Sequence, residues 1–157
     1  MKGLIVLAVS AAMLCAAPAA DARPGSIVGK WRLNLRESET LPGEEPPAEL
    51  IMAITDDTPA HFGWTVTVRM ADGSSGATRF SGAIDGKPYP VEGRPPGSTS
   101  SFRWMIDGGL KQVSEGPGGL SVETCMFSAD MRRMDCDARQ TTKDGRTWTY
   151  EEVFDRL

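Results

Sequence analysis

The chain has 157 residues and a formal net charge of −4, with 17 glycines, 11 prolines and one histidine. Its length is that of a single domain, large enough to bury a hydrophobic core without the help of a metal. The basic residues do not cluster beyond Arg132 and Arg133, so nucleic acids and anionic membrane surfaces are poor partners for this protein.

The first 22 residues have the organisation of a secretory signal peptide. Lys2 supplies the positive charge, an uncharged stretch follows at residues 4–17, and residues 20–22 form a cleavage site of the A-x-A type. A transmembrane helix needs about 20 residues, and the uncharged stretch is shorter than that. We therefore expect a bacterial Sec-type signal peptide at 1–22. The mature domain, 23–157, is then periplasmic or secreted and has no membrane anchor.

The first predicted strand covers residues 27–35. Trp31, Leu33 and Leu35 fall on one face of this segment, and its charged and amide side chains fall on the other. The following segment, 41–47 (LPGEEPP), contains three prolines. Proline cannot donate a hydrogen bond to a strand ladder, so this segment is predicted to be an irregular loop.

Further strands follow at short intervals, separated by turns rich in glycine and aspartate. They are predicted at residues 50–55, 63–70, 77–84, 100–106, 110–115, 120–128, 133–141 and 147–154, with a brief one at 89–91. Such spacing predicts an all-β protein with little helix, an antiparallel up-and-down meander of about 8–9 strands. Closure into a barrel leaves no unpaired edge strand, which favours a barrel over a sandwich.

Two segments carry a resemblance to a known family. Residues 29–34 (GKWRLN) with the loop 41–47, and residues 84–91 (IDGKPYPV), resemble exported bacterial lipocalin-like proteins. The resemblance implies a lipocalin-like β-barrel in which Trp31 plugs the closed end and Arg156 packs across its indole. Arg139 is a weaker choice for that partner. Gly29, Trp31 and Arg156 are then a structural signature.

Two cysteines remain once the signal peptide is removed, Cys125 and Cys136. An even number in an oxidising compartment favours a disulfide, with two free buried thiols as the alternative. If residues 129–132 form a four-residue turn, the two cysteines lie directly opposite as a non-hydrogen-bonded pair. A two-residue turn keeps them opposite but makes them a hydrogen-bonded pair, which is less favourable for a disulfide. Their spacing does not match a redox motif or a zinc site, and we predict no metal site.

The sequence shows no catalytic motif. The single histidine, His61, lies outside any nucleophile motif, and no phosphate-binding glycine loop is present. Acidic neighbours such as Glu151 and Glu152 point to opposite faces of a strand, whereas Asp135 and Asp137 share one face. We therefore predict that the protein is not an enzyme and has no cofactor.

The inward faces of the strands provide an apolar set that could line a cup. The predicted lining residues are Met52, Ile54, Trp64, Val66, Val68, Phe80, Phe102 and Trp104. We expect the aromatic members to lie toward the open end, away from Trp31. The function predicted from this set is the binding of a small apolar or amphipathic molecule.

Two other functions stay open. One is a protein-binding module, or an inhibitor of an envelope enzyme, that acts through the proline-rich loops 41–47 and 93–97. The other is an enzyme whose acid/base site forms only in three dimensions. A deep apolar cavity favours ligand binding and a filled barrel favours protein binding. Two carboxylates that converge in a cleft, one of them with a raised pKa, favour the enzyme.

Overall fold

The protein is an all-β structure, as the period-two pattern predicts. A computed structural model describes residues 25–58 and 60–157, so the predicted signal peptide, 1–22, lies outside the described residues. The ten strands are β1 (Gly29–Leu33), β2 (Glu49–Asp57), β3 (Phe62–Arg69), β4 (Ser75–Gly82), β5 (Tyr89–Glu92), β6 (Thr99–Trp104), β7 (Leu110–Gly116), β8 (Gly119–Phe127), β9 (Arg133–Thr141) and β10 (Thr147–Arg156). No helix able to cross a bilayer occurs within these described ranges.

The strands form one closed antiparallel meander. Each strand pairs with its neighbour in sequence, and β1 also pairs with β10, which closes the barrel. The prediction of a closed up-and-down barrel is therefore confirmed. The predicted count of about 8–9 strands is slightly low, because ten are present. The strand β5 has only four residues, and the pattern from 89 to 91 is too short to count securely as a strand.

The barrel has a closed end and a mouth. The closed end is the one at which β1 begins and β10 ends, and the mouth carries the long β1–β2 connection, residues 34–48. β1 is shorter than predicted, because the chain leaves the ladder after Leu33 and Leu35 is 43% exposed. The proline-rich segment 41–47 lies outside every strand, as predicted.

Trp31 and Arg156 lie together at the closed end, in the arrangement that the resemblance implies. The Trp31 side chain is fully buried, and its Nε1 donates a hydrogen bond to the Ile27 carbonyl at 2.9 Å. The Arg156 Cζ lies 5.3 Å from the centroid of the Trp31 ring. Gly29 has a φ of 146°, and a Cβ there would meet the Arg156 guanidinium at 3.3 Å. Glycine therefore leaves room for that guanidinium. Arg139 is exposed on β9 and does not take part.

The predicted disulfide is confirmed. Cys125 on β8 is directly opposite Cys136 on β9, and their Sγ atoms are bonded with the Cα atoms 4.0 Å apart. The Ser128 N–H donates to the Arg133 carbonyl at 2.9 Å, which closes the expected four-residue turn. Glu123 lies near both sulfur atoms, but the disulfide occupies the thiolates that a metal ion would need.

Candidate functional site

The interior of the barrel contains a cavity of about 360 Å³ between the mouth and the closed end. We call it the lumen. Its apolar wall is built mainly by β2, β3 and β6, in which every second residue faces inward. The residues of this apolar wall include Leu50, Met52, Ile54, Phe62, Trp64, Val66 and Phe102.

A second cavity, of about 340 Å³, lies under the β1–β2 connection at the mouth. Leu41, Glu44 and Leu50 line both cavities, as do Tyr150 and Glu152. Because the two spaces share these residues, the second cavity adjoins the lumen on the side of the mouth. The prolines of that loop, which keep it out of the sheet, place it as one wall of the entrance.

An aromatic cluster forms the floor of the lumen. The ring centroids of Phe62 and Phe80 lie 4.8 Å and 4.7 Å from that of Phe102, and the Trp64 ring stacks on Phe80 at 5.9 Å. Edge-to-face and stacked contacts of this kind stabilise a rigid base. Such a base gives the lumen a fixed depth.

The position of this cluster corrects the prediction that these aromatic side chains lie toward the open end. Trp64 pairs with Ile54, which pairs with Gly29, and Gly29 precedes Trp31 on the side of the closed end. The aromatic side chains therefore lie at the same end as the Trp31 plug. Distance along the sequence from Trp31 did not indicate distance along the barrel axis, because the antiparallel register returns each strand to the same end.

Six of the eight predicted lining residues border one of the two cavities. Five line the lumen, namely Met52, Ile54, Trp64, Val66 and Phe102, and Val68 lines the second cavity at the mouth.

The remaining two predicted lining residues, Phe80 and Trp104, are not part of the lumen wall. Phe80 is buried behind Trp64 and Phe102. Trp104 packs on Phe127, which packs on Trp31, with centroid distances of 6.1 Å in both pairs. Both side chains belong to the packed closed end because each is at or near the end of its strand.

The opposite wall of the lumen is polar. Ser121 and Glu123 on β8, with Tyr150 and Glu152 on β10, contribute side chains to this wall. Ala138 on β9 pairs with both Glu123 and Tyr150. Its methyl group is small, so the longer side chains of the flanking strands extend past it into the lumen. β8 and β10 are second neighbours, about 10 Å apart. Two glutamate side chains on the same face of the sheet can reach toward each other across that distance.

Burial changes the acidity of the groups on this polar wall. Loss of solvation and, to a smaller extent, the nearby Glu152 carboxyl raise the pKa of Glu123 to about 8, against the opposing effect of the Arg94 guanidinium. Burial also raises the pKa of Glu152. Burial raises the pKa of Tyr150 to about 12. At neutral pH Glu123 therefore retains a proton that an ordinary glutamate would have lost.

The two lumen carboxyls lack hydrogen-bond donors among the described residues. The contact of Glu123 is with the Cys125 Sγ at 3.4 Å, and a disulfide sulfur has no hydrogen to donate. Among the described residues, none donates a hydrogen bond to the carboxylate of Glu123 or Glu152. A neighbouring polar strip is different, because the Gln112 Nε2 donates to the Ser114 Oγ at 2.8 Å and Ser114 shares a 2.7 Å bond with Ser100.

Glu123 was not predicted from the sequence. β8 has apolar residues on both faces, and Leu120, which looks like a core residue, is 40% exposed. The signal that could have found Glu123 is the disulfide. Cys125 must face the same side as Cys136, and Glu123, two residues before Cys125, shares that face.

Glu152 lines the lumen while its neighbour Glu151 is exposed, but the histidine and the aspartate pair considered from the sequence lie outside the lumen. His61 is exposed, with its Nδ1 3.1 Å from an Asp56 carboxylate oxygen and its Nε2 3.1 Å from the Ser81 hydroxyl. Asp135 and Asp137 are both exposed on the outer face of β9. None of these side chains lines the lumen.

Comparison with known proteins identifies the fold. No protein-family model matches the sequence, and no curated protein does. The chain is similar to a mutant of the fluorescent protein UnaG, with a TM-score of 0.55 and 11% identity over 83% of this chain and 95% of that one. This likeness supports the class already defined by the topology, a closed lipocalin-like β-barrel.

Two further solved structures are similar at lower TM-scores. A redesigned β-barrel has a TM-score of 0.45 and 11% identity, over 83% of this chain and 91% of that chain. The zebrafish ileal bile acid-binding protein complexed with cholic acid has a TM-score of 0.40 and 15% identity, over 84% of this chain and 100% of that chain. At these identities the likeness concerns the path of the chain alone.

Proposed function

We propose that this protein binds a small amphipathic molecule in the lumen of its barrel. The observation that carries the proposal is the lumen itself, which is apolar on one wall and polar on the other and adjoins a second cavity under the 41–47 loop. The lumen volume of about 360 Å³ falls within the range of small-molecule pockets, about 300–1,000 Å³. The apolar wall supplies affinity by burial, and the polar wall fixes the orientation of the ligand.

A neutral fluorescent probe tests this proposal. N-phenyl-1-naphthylamine should gain fluorescence with the folded protein and quench the emission of Trp64, which lines the lumen. Val66→Trp should lower probe affinity by about tenfold or more, because the larger ring takes up lumen volume and each tenfold is about 1.4 kcal/mol. Thr67→Trp is the matched control, since Thr67 is the next residue and is exposed on the outer face. Absence of probe uptake by the native protein, measured by titration, would refute lumen binding.

We also propose that the protein acts in the periplasm or outside the cell, after removal of residues 1–22. The sequence pattern of the first 22 residues supports this proposal. Expression of the full chain in a Gram-negative host, followed by fractionation and N-terminal sequencing, should give a mature protein that begins at Arg23. Exported material that still begins with Met1 would contradict the proposal.

Acid/base catalysis is a second candidate function, favoured by the convergence of Glu123 and Glu152 in the lumen. One protonated and one charged carboxyl can act as general acid and general base on a bound molecule. Mass spectrometry of a ligand that copurifies with the protein, before and after incubation, distinguishes the two functions. Turnover lost in Glu123→Gln would support catalysis, whereas a ligand recovered unchanged would support binding alone.

The open lumen does not favour the protein-binding alternative, which was expected to go with a filled barrel. Residues of the 41–47 loop line the entrance, and Arg94 of the second proline-rich loop reaches the lumen wall. Both loops therefore have a place in ligand entry.

A further inference from the structure

We propose that the ligand is a cationic amphiphile whose amine group binds between Glu123 and Glu152, while its apolar part lies against Met52, Val66 and the aromatic floor. This inference rests on the proposed binding function and specifies the chemical class of the ligand. It excludes fatty acids and other anionic amphiphiles as the preferred ligands.

The charges that line the lumen favour a cation. Three carboxyl side chains, those of Glu44, Glu123 and Glu152, contribute to the lining, against one guanidinium, that of Arg94. Glu44 belongs to the loop at the mouth, so an entering ligand meets acidic groups along its path. In the described part of the chain, no other lysine, arginine or histidine lines the lumen. An anionic head group would face more carboxyls than cations.

The unmet hydrogen-bonding capacity of the acid pair also favours an amine. The Glu123 carboxyl is enclosed by the barrel and borders the lumen, and no described residue donates a hydrogen bond to it or to Glu152. An ammonium group has three N–H donors and no acceptor, which complements two carboxyl groups that are mainly acceptors. Water in the lumen meets that need less well, because it supplies no charge.

Arg94 does not convert this wall into a carboxylate site. Its guanidinium acts electrostatically on Glu123, so its charge is already directed at a protein carboxyl. Arg94 is part of the exposed β5–β6 connection, whereas Glu123 and Glu152 are held by two long strands. The arginine is therefore a counter-ion supplied by an exposed connection, and a ligand ammonium can replace it.

Binding of a cation should release a proton. The lumen carboxyls keep a proton at neutral pH because burial and mutual repulsion raise the pKa of Glu123. A bound ammonium favours the fully ionised pair, so it lowers that pKa and displaces the proton. For a head group of fixed charge, such as dodecyltrimethylammonium, affinity should rise as the pH is raised from about 6 to about 9.

Three ligands with the same tail provide the test. Dodecylamine, dodecanol and laurate are each titrated against bound N-phenyl-1-naphthylamine, at about pH 8 and below their micelle-forming concentrations. Dodecylamine should displace the probe at a concentration at least about tenfold lower than laurate, since a charge pair in a partly buried site is worth more than the 1.4 kcal/mol that tenfold represents. Dodecanol should fall between them.

Three variants separate the lumen acids from general surface charge. Glu123→Gln and Glu152→Gln should each remove most of the preference for amine over alcohol. Glu151→Gln should leave it unchanged, because Glu151 is next to Glu152 but exposed on the outer face. Arg94→Gln, a change in an exposed connection that leaves the strands intact, should strengthen amine binding by removing the competing cation.

The outcomes distinguish failure of this inference from failure of the proposed function. If laurate displaces the probe best and Arg94→Gln abolishes that effect, the lumen binds anions and the inference is overturned while ligand binding stands. If dodecanol equals dodecylamine in the native protein, the acids do not select the head group and the inference is again overturned. If the native protein takes up neither probe nor ligand, the proposed function itself fails.

Discussion

Replacing Trp31 with alanine should lower the free energy of unfolding by about 3–5 kcal/mol, the cost of removing a large aromatic side chain from a packed core. Trp31 has no exposed surface, and its ring contacts Phe127 edge-on at 6.1 Å and lies under the Arg156 guanidinium. The indole also holds the Ile27 carbonyl by a hydrogen bond. Its removal therefore opens a cavity at the closed end and leaves a buried carbonyl without its donor.

Trp148→Ala is the matched control for this measurement. Trp148 is half-buried on β10, and the Arg146 guanidinium stacks over it at 5.4 Å. Because part of that ring already faces solvent, its removal should cost less than half as much as removal of Trp31. Urea unfolding followed by circular dichroism compares the two variants without relying on tryptophan emission. Equal loss of stability in both would contradict the role of Trp31 as the plug.

The fold follows from local patterns in the sequence. Strand β9 runs from Arg133 to Thr141, the bounds that its alternation predicts. Most of the short hairpin turns contain glycine or aspartate, which favours pairing of each strand with the next one along the chain. The disulfide was predictable for the same reason, since one turn length fixes the register from residue 128 to residue 133 and therefore places Cys125 opposite Cys136.

The site was harder to predict because it depends on the depth of each side chain along the barrel axis. Alternation gives the face of a residue, but it does not give its distance from the closed end. Phe102 and Trp104 both face inward on β6, yet Phe102 borders the lumen while Trp104 packs on Phe127. That difference comes from the register of the neighbouring strands, which pattern alone leaves open.

The convergence of Glu123 with Glu152 was not predicted, for a different reason. A glutamate that faces the interior looks like a surface residue in the sequence, since burial of an isolated carboxylate is costly. Glu123 is tolerated inside because the lumen is open enough to hold water or a ligand and because the carboxyl can hold a proton. This exception to the usual pattern of burial lies at the candidate site, where such exceptions concentrate.

The stability of the native protein should fall as the pH rises from about 5 to about 9. Burial holds the pKa of Glu123 near 8 in the folded state, whereas an unfolded glutamate has a pKa of about 4.3. Between these two values the folded state binds more protons than the unfolded state, so raising the pH favours unfolding. The stabilising effect of the bound proton is complete below the unfolded pKa and is lost as the pH passes through the folded one.

Glu123→Gln removes this titration, so its melting temperature should change much less over the same pH range. A difference of one in pKa corresponds to about 1.4 kcal/mol, which in a domain of this size moves the melting temperature by about 4 °C. We therefore expect the melting temperature of the native protein to fall by at least about 4 °C more than that of Glu123→Gln between pH 5 and pH 9.

Thermal melts without ligand measure both curves, and Glu151→Gln, on the outer face, should follow the native protein. Parallel curves for the native protein and Glu123→Gln would show that the lumen carboxyl ionises as it does in water. If instead only the native curve and that of Glu151→Gln fall, the proton is held inside the barrel, at the group where we propose that the ligand's amine binds.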